Sequence, residues 1–251
     1  MKQLENGGTT MEGEGKILAK WDYILLLGES GSGKGTLVKN IRRFWLPNLT
    51  SASMGDIFRE RAKTDPEIKR LTEQGELIND ETACKVFADF ALTHKPGLMD
   101  GFPRNRQQAI NLIKFIKEKR WRVLVIDISC NVEVILERLL SRRRADDELH
   151  IVYKRNLDHK TLHPSVMEEI KHRADLFDII HLDGNFDDEI VLSSFMLSLL
   201  RLVDMLYFYD LKRVETSFEV SEDEFTINPA INRWISGFLN SLQAKIDSET
   251  N

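Results

Sequence analysis

The sequence predicts an α/β fold: a parallel sheet covered by helices on both faces. Three observations carry that expectation. The runs Ile24-Leu25-Leu26-Leu27 and Val123-Leu124-Val125-Ile126 are continuously apolar, as strands buried on both faces are. Stretches of helical periodicity separate such runs along the chain. A glycine-rich turn joins the first run directly to a helix, the junction a strand–helix–strand unit requires.

Element by element, residues 1–16 are rich in Gly, Glu and Thr without periodicity, and are read as a flexible leader within 1–20, with Met11 as an alternative start. A first strand covers 21–27. A helix over 36–44 follows, closed by Pro47. Residues 51–91 read as helical, punctuated by Pro66 and Gly75. A short strand at 97–100 leads into a turn and a helix over 106–119. Residues 123–128 are the clearest strand, rich in β-branched residues. Helices are expected at about 131–143, 146–160 and 164–175, and a last short strand at 179–184. Beyond it come a helix over 187–208, an acidic segment at 215–224 and an amphipathic helix at about 229–246 carrying Trp234, Phe238, Leu239 and Leu242.

Composition bounds the function. At 251 residues, with 42% hydrophobic and 30% charged, the chain can bury a full core and is neither collagen-like nor disordered throughout. Lys plus Arg total 35 against 40 Asp plus Glu, so no overall basic field argues for a nucleic-acid partner. Any anion site must be local. The N-terminal residues lack an apolar run and carry acids, unlike a secretory signal, and the longest apolar stretches are too short or too interrupted to span a bilayer. Cys84 and Cys130 have no metal-ligand spacing and read as buried free thiols. The expectation is a cytoplasmic protein with no membrane partner. Six histidines show no ligand or triad spacing and read as surface or core residues.

The segment Gly28-Glu29-Ser30-Gly31-Ser32-Gly33-Lys34-Gly35-Thr36 follows a strand and opens a helix. Its glycines let backbone N–H groups turn inward, the helix N-terminus adds unsatisfied donors, and Lys34 supplies a point charge for the β- and γ-phosphates. It differs from the strict G-x-x-x-x-G-K-[ST] pattern, because Gly35 follows the lysine and the hydroxyl arrives at Thr36. Gly31, Ser32, Gly33, Lys34, Gly35 and Thr36 are the candidate triphosphate cradle.

That loop resembles the G-x-P-G-x-G-K-G-T of adenylate kinases and related nucleoside monophosphate kinases. Three further segments resemble the family in order. Ser53-Met54-Gly55-Asp56-Ile57-Phe58-Arg59 is similar to S-T-G-D-x-x-R, and Gly75-Glu76-Leu77-Ile78-Asn79-Asp80-Glu81 to G-x-L-V-x-D-E. Asp100-Gly101-Phe102-Pro103-Arg104, followed by Gln108-Ala109, is similar to D-G-F-P-R-x-x-x-Q-A. The resemblance covers about 22–185. It implies a P-loop NTPase fold with a five-stranded parallel sheet, a small helical acceptor-binding insert at about 51–85 and a minimal lid at about 142–146.

It also implies roles. Met54, Arg59, Glu76, Leu77, Ile78, Gly101, Phe102, Pro103, Arg104 and Gln108 seat a monophosphate acceptor. Glu137-Arg138-Leu139-Leu140-Ser141-Arg142 resembles E-R-x-x-x-R, placing Arg138 and Arg142 on one helix face against the donor ATP. Arg144, in a segment resembling R-x-D-D, and Arg155 eleven residues on clamp both phosphate chains. Lys34, Arg104, Arg138, Arg144 and Arg155 are the catalytic candidates. Arginine suits the task because its planar fork binds phosphate oxygens bidentately and stays charged. Asp100, at a strand end, orders Mg²⁺ through water.

Several positions depart from the family. Ser30 replaces a proline. Met54 replaces a threonine that lies against the acceptor base, losing a hydroxyl and keeping apolar contact. Asn105 resembles the UMP/CMP kinases, whereas Gln108-Ala109 resembles the adenylate kinases. Only Arg143 separates Arg142 from Arg144, where the family has a loop or an insert of some thirty residues.

The expected function is Mg²⁺-dependent transfer from ATP to a nucleoside monophosphate, AMP foremost. UMP or CMP as acceptor, or a nucleotide-binding regulatory protein with little transfer, are the alternatives. A monomer is expected, with residues 186–251 as a helical extension that either packs on the core or docks a partner.

Overall fold

In the computed structural model of the protein, residues 20–44, 46, 48–142 and 149–214 are described. The leader, Pro47, residues 143–148 of the expected lid with Arg144, and everything from 215 on, the final amphipathic helix included, lie outside them. Residues 14–198 form one compact unit. A second comprises Met1–Gly13 and Leu199–Asn251; its described residues are helical.

Five strands form one parallel sheet: β1 (Tyr23–Gly28), β2 (Thr50–Ser53), β3 (Gly97–Asp100), β4 (Val123–Ser129) and β5 (Phe177–Asp183), in the order β2-β3-β1-β4-β5. Helices alternate with them: α1 (Lys34–Phe44), α2 (Met54–Arg61), α3 (Pro66–Glu73), α4 (Asp80–Thr93), α5 (Arg106–Lys119), α6 (Val132–Arg142), α7 (Leu149–Lys171) and α8 (Asp188–Val214). No helix among the described residues is long and apolar enough to cross a membrane.

The central strand β1 is buried at every position but its last, and β4 is nearly so, which is why both read as unbroken apolar runs. Their side chains meet two layers of helices. The larger core cluster gathers Tyr23, Leu25, Phe87, Phe102, Leu112, Val125 and Ile170 from β1, α4, the turn after β3, α5, β4 and α7. Phe87 stacks on Phe102 at a centroid distance of 4.8 Å and meets Tyr23 edge-on at 5.4 Å, so the aromatic core reaches the turn after β3. Helix starts follow capping chemistry. Asp65, Asn79 and Asn105 accept from backbone N–H groups of α3, α4 and α5 through their side chains.

The structure corrects two element assignments and one burial expectation. Residues 50–53 form a strand, although Thr-Ser-Ala-Ser has no apolar run. β2 is an edge strand, paired only with β3 and half-buried at all four positions, so it needs no apolar face. The two helices expected at 146–160 and 164–175 are one helix, α7, which runs through Pro164. A proline inside a helix costs about 3 kcal/mol. Burial on both sides of it, at Ile151 and Val152 and at Val166, Met167 and Ile170, offsets that cost. Third, Cys84 and Cys130 are half-buried rather than buried, though burial still pushes both thiols up.

Candidate functional site

A cleft of about 1150 Å³ opens at the carboxyl ends of the strands. In an open parallel sheet this is where loops from strands on either side of a topological switch diverge and leave a crevice. Here the switch lies at β1, whose neighbours β3 and β4 lead to opposite halves of the sheet.

The floor is the loop between β1 and α1. Gly28 turns the chain at φ +139°, where a Cβ would lie 2.3 Å from the Ile128 carbonyl oxygen of β4. Gly31, at φ +92°, lies against Ile135 and Leu139 of α6, whose side-chain atoms a Cβ would meet at 3.0 Å. Only glycine satisfies both the dihedral and the approach. Lys34 opens α1, and its Nζ donates to the carbonyls of Gly28 at 2.9 Å and Glu29 at 2.7 Å, with Asp100 Oδ1 4.0 Å away. The ammonium is thereby fixed over the loop. Ser32 Oγ is buried and has no partner among the described residues.

Arginines converge on this floor from separate elements. Arg59 of α2 pairs with Asp56 one turn earlier. Arg104 follows β3, its Nε donating to the Gly101 carbonyl at 3.0 Å. Arg155, on α7, donates to the Thr72 carbonyl at 3.1 Å, and its neighbour Lys154 donates to the Gln74 carbonyl at the same distance. The long helix thus holds the α3 turn in place. Enclosure in the cleft lowers the Arg104 pKa; Asp100 opposes this, and the like charges of Arg155 and Arg59 add to it. An arginine stays charged regardless, so an anion here relieves the repulsion.

Arg138 stands on the other flank. Its two terminal nitrogens donate to the carbonyls of Gly184, at 2.7 Å, and Phe186, at 3.1 Å. This ties α6 to the loop after β5 and leaves the guanidinium 3.7 Å from where a Gly33 Cβ would stand. Arg142 ends α6, with its side chain outside the described residues.

The other candidates among the described residues also line this one cleft: Gly35, Thr36, Met54, Glu76, Leu77, Ile78, Phe102 and Pro103 among them. Met54 is fully buried and forms wall rather than surface. Gln108 is buried and held at both ends. Its Oε1 accepts the Arg104 N–H at 2.8 Å and its Nε2 donates to Asp80 Oδ1 at 2.9 Å. Asn105 caps α5 and donates to the same Asp80 oxygen at 2.7 Å.

The residues present fit a divalent cation bound with its waters. Asp100 Oδ1 is buried without a hydrogen-bond partner among the described residues. Burial raises its pKa, with Lys34 the main opposing charge. Such a carboxylate gains from a hard cation, and Mg²⁺ takes one or two carboxylates plus phosphates and waters. No cluster of three or more metal-ligating side chains occurs among the described residues.

Sequence reasoning missed the histidines. His159 and His163 line the cleft, their rings stacked with centroids 4.4 Å apart. Behind them Asp127 of β4 joins two imidazoles: His163 Nε2 lies 3.0 Å from one oxygen and His181 Nδ1 3.1 Å from the other. Burial works against the Asp127 carboxylate, yet hydrogen bonds and charge from the two histidines hold it below the usual range. The available signal was spacing: Arg155, His159 and His163 recur every four residues and so share a helix face.

The family model described as adenylate kinase matches residues 26–178. Among curated proteins, the chain is similar to adenylate kinases of Rickettsia africae (38% identical over 126 residues, 47% of this chain and 57% of that protein). It also resembles those of Borrelia garinii (36% over 127 residues, 48% and 57%) and Thermoanaerobacter sp. (34% over 129 residues, 48% and 58%). The match spans little more than half the length of these relatives. With the family match extending over more than half of its residues, the chain belongs to the adenylate kinase family.

Proposed function

We propose that the protein transfers the γ-phosphoryl group of ATP to a nucleoside monophosphate, AMP foremost, yielding two nucleoside diphosphates. The observation that carries this reading is the convergence of Lys34, Arg59, Arg104, Arg138 and Arg155, from four helices and the loop after β3, onto one cleft floored by an anion-binding loop. One bound phosphate needs only the loop and its lysine. A second cationic group opposite suits two phosphate chains brought together.

Phosphoryl transfer asks the protein for alignment, charge neutralisation and exclusion of water rather than covalent chemistry. In this reading the backbone N–H groups of 31–36 and Lys34 hold the donor phosphates. Arg59 and Arg104 hold the acceptor phosphate, Gln108 and Met54 bound its base, and Arg155 spans both chains. Arg138 flanks the donor, and Arg142 and Arg144 complete the clamp. Bound Mg²⁺, held through water by Asp100, would offset charge on the donor phosphates.

UMP or CMP is the second reading for the acceptor. It is favoured by Asn105, the residue that resembles the UMP/CMP kinases, whereas Gln108 opposes it. Incubation with ATP, Mg²⁺ and each of AMP, CMP, UMP, GMP and dAMP, beside a Lys34→Ala control, tests both. Chromatography distinguishes transfer from hydrolysis. Conversion of AMP to ADP, lost in the variant, is expected; ATP binding without transfer to any acceptor overturns the reading.

A further inference from the structure

We propose that His159 is a further phosphate ligand of the cleft, engaging the bound phosphate chain as an imidazolium after taking up a proton from solvent, with Glu29 as the carboxylate that positions the charged ring. This rests on the reading of the cleft as a phosphate site and adds to it a group whose charge depends on the ligand.

His159 stands on α7 one turn beyond Arg155, on the same face and in the same cleft as Lys34. Its side chain keeps 22% of its surface exposed, so the ring is enclosed yet open to a ligand. Neither ring nitrogen hydrogen-bonds to a described residue. Nδ1 lies 3.8 Å from Glu29 Oε1, beyond hydrogen-bond reach, and Glu29 Oε2 is buried with no partner among the described residues. Two polar groups therefore face each other inside the protein with their bonding incomplete, an arrangement that costs free energy until something completes it. Protonation of the ring does so. It turns a poor contact into a charge-assisted pair and leaves Nε2–H as a donor for a phosphate oxygen.

The charges around the ring keep it neutral in the empty cleft. Burial is the largest influence; then come His163 beside it on α7, Lys34 from the loop and Arg104 after β3, which together push His159 down to about 3. Asp127 of β4 pulls the other way. A phosphate chain reverses the balance, because it neutralises Lys34 and Arg104 and adds negative charge of its own. His163 is already committed to Asp127 and stacks at 20° on His159, which holds the His159 ring in its cleft-facing position.

Nucleotide affinity must then rise as pH falls, by up to about tenfold per pH unit for a full proton taken up. The test is calorimetric titration of the full chain with Mg·ATP, without acceptor, at about pH 7.5 and below, in buffers of different ionisation enthalpy. The dependence of the observed heat on the buffer gives the number of protons exchanged. Net proton uptake that grows as the titration pH is lowered is expected, reduced in Glu29→Gln and abolished in both His159→Gln and His159→Phe.

Ring-proton NMR of the unmodified protein gives a second measurement that needs no variant. One histidine is expected to titrate at a higher pH with nucleotide bound than without. Binding without proton uptake overturns this inference alone. So does uptake that persists in both His159 variants. Failure of the chain to bind Mg·ATP in any buffer overturns the phosphate-site reading itself.

Discussion

Gln108 and Asp80, 28 residues apart in sequence, are joined by a hydrogen bond of 2.9 Å from Nε2 to Oδ1, and the same oxygen takes a second bond of 2.7 Å from Asn105. One carboxylate thus fixes the cleft-lining amide of Gln108 and the residue capping α5. Asp80→Ala leaves two partly buried donors unsatisfied at about 1–3 kcal/mol each and frees the Gln108 amide to rotate. The expected result is a lower melting temperature and a KM for the acceptor raised about tenfold, equivalent to about 1.4 kcal/mol, with the KM for ATP little changed. Steady-state kinetics with each substrate varied in turn check it. Equal effects on both substrates would show that Asp80 only stabilises the fold.

Lys34 and Asp100 face each other at 4.0 Å across the floor of the cleft, and their expected effects differ. Lys34→Ala removes a charge aimed at the developing charge of transfer, and kcat should fall about 10²–10³-fold. Asp100→Asn removes the carboxylate that fits a hydrated cation. Its activity should need several-fold more Mg²⁺ to reach half-maximum, and chelation of Mg²⁺ should abolish transfer in the unmodified protein. Measuring rate against free Mg²⁺ separates the two. A Mg²⁺ curve unchanged in Asp100→Asn would remove Asp100 from that role.

What the sequence carries, and what it hides, divides along physical lines. β1 and β4 are legible because burial on both faces imposes an unbroken apolar run, and the loop after β1 is legible because its glycines answer a local backbone demand. β2 is hidden, since an edge strand held by one partner through backbone bonds leaves no side-chain pattern. Pro164 reads as a break because local propensity forbids it, and only tertiary burial along α7 overrides that. The His159, His163, Asp127 and His181 chain is hidden for another reason. It is assembled from a helix and two strands, and pairing across a sheet has no sequence spacing.

Gly28 offers a stability test of the loop without touching a charged group. Its φ of +139° disfavours any side chain, and a Cβ would press to 2.3 Å of a backbone oxygen on β4 that cannot move alone. Gly28→Ala should cost at least about 2 kcal/mol, read as a lower midpoint in urea. Gly35→Ala is the matched control, because nothing lies within 4 Å of where its Cβ would stand. It sits in α1, where alanine is the better helix former, so its midpoint should stay level or rise.

Asp178 makes the stability of the sheet depend on acid. It is the second residue of β5, beside β4, and accepts from Trp21 Nε1 at 2.7 Å and from Arg122 at 3.1 and 3.2 Å, with Lys20 at 3.1 Å. Burial works against its ionisation, but these partners outweigh burial and hold the carboxyl below the usual range. A carboxylate whose pKa is lower folded than unfolded stabilises the fold above the unfolded value of about 4, and loses that contribution as pH falls through the folded value. Urea midpoints should therefore hold level from pH 7 to about 5 and drop below about 4. Asp178→Asn should lower the midpoint at neutral pH and flatten the acid limb, because the variant has no proton to gain there. Asp127 is shifted the same way, so part of the slope should remain in the single variant. An acid limb as steep in Asp178→Asn as in the unmodified protein would assign the pH dependence to Asp127 instead.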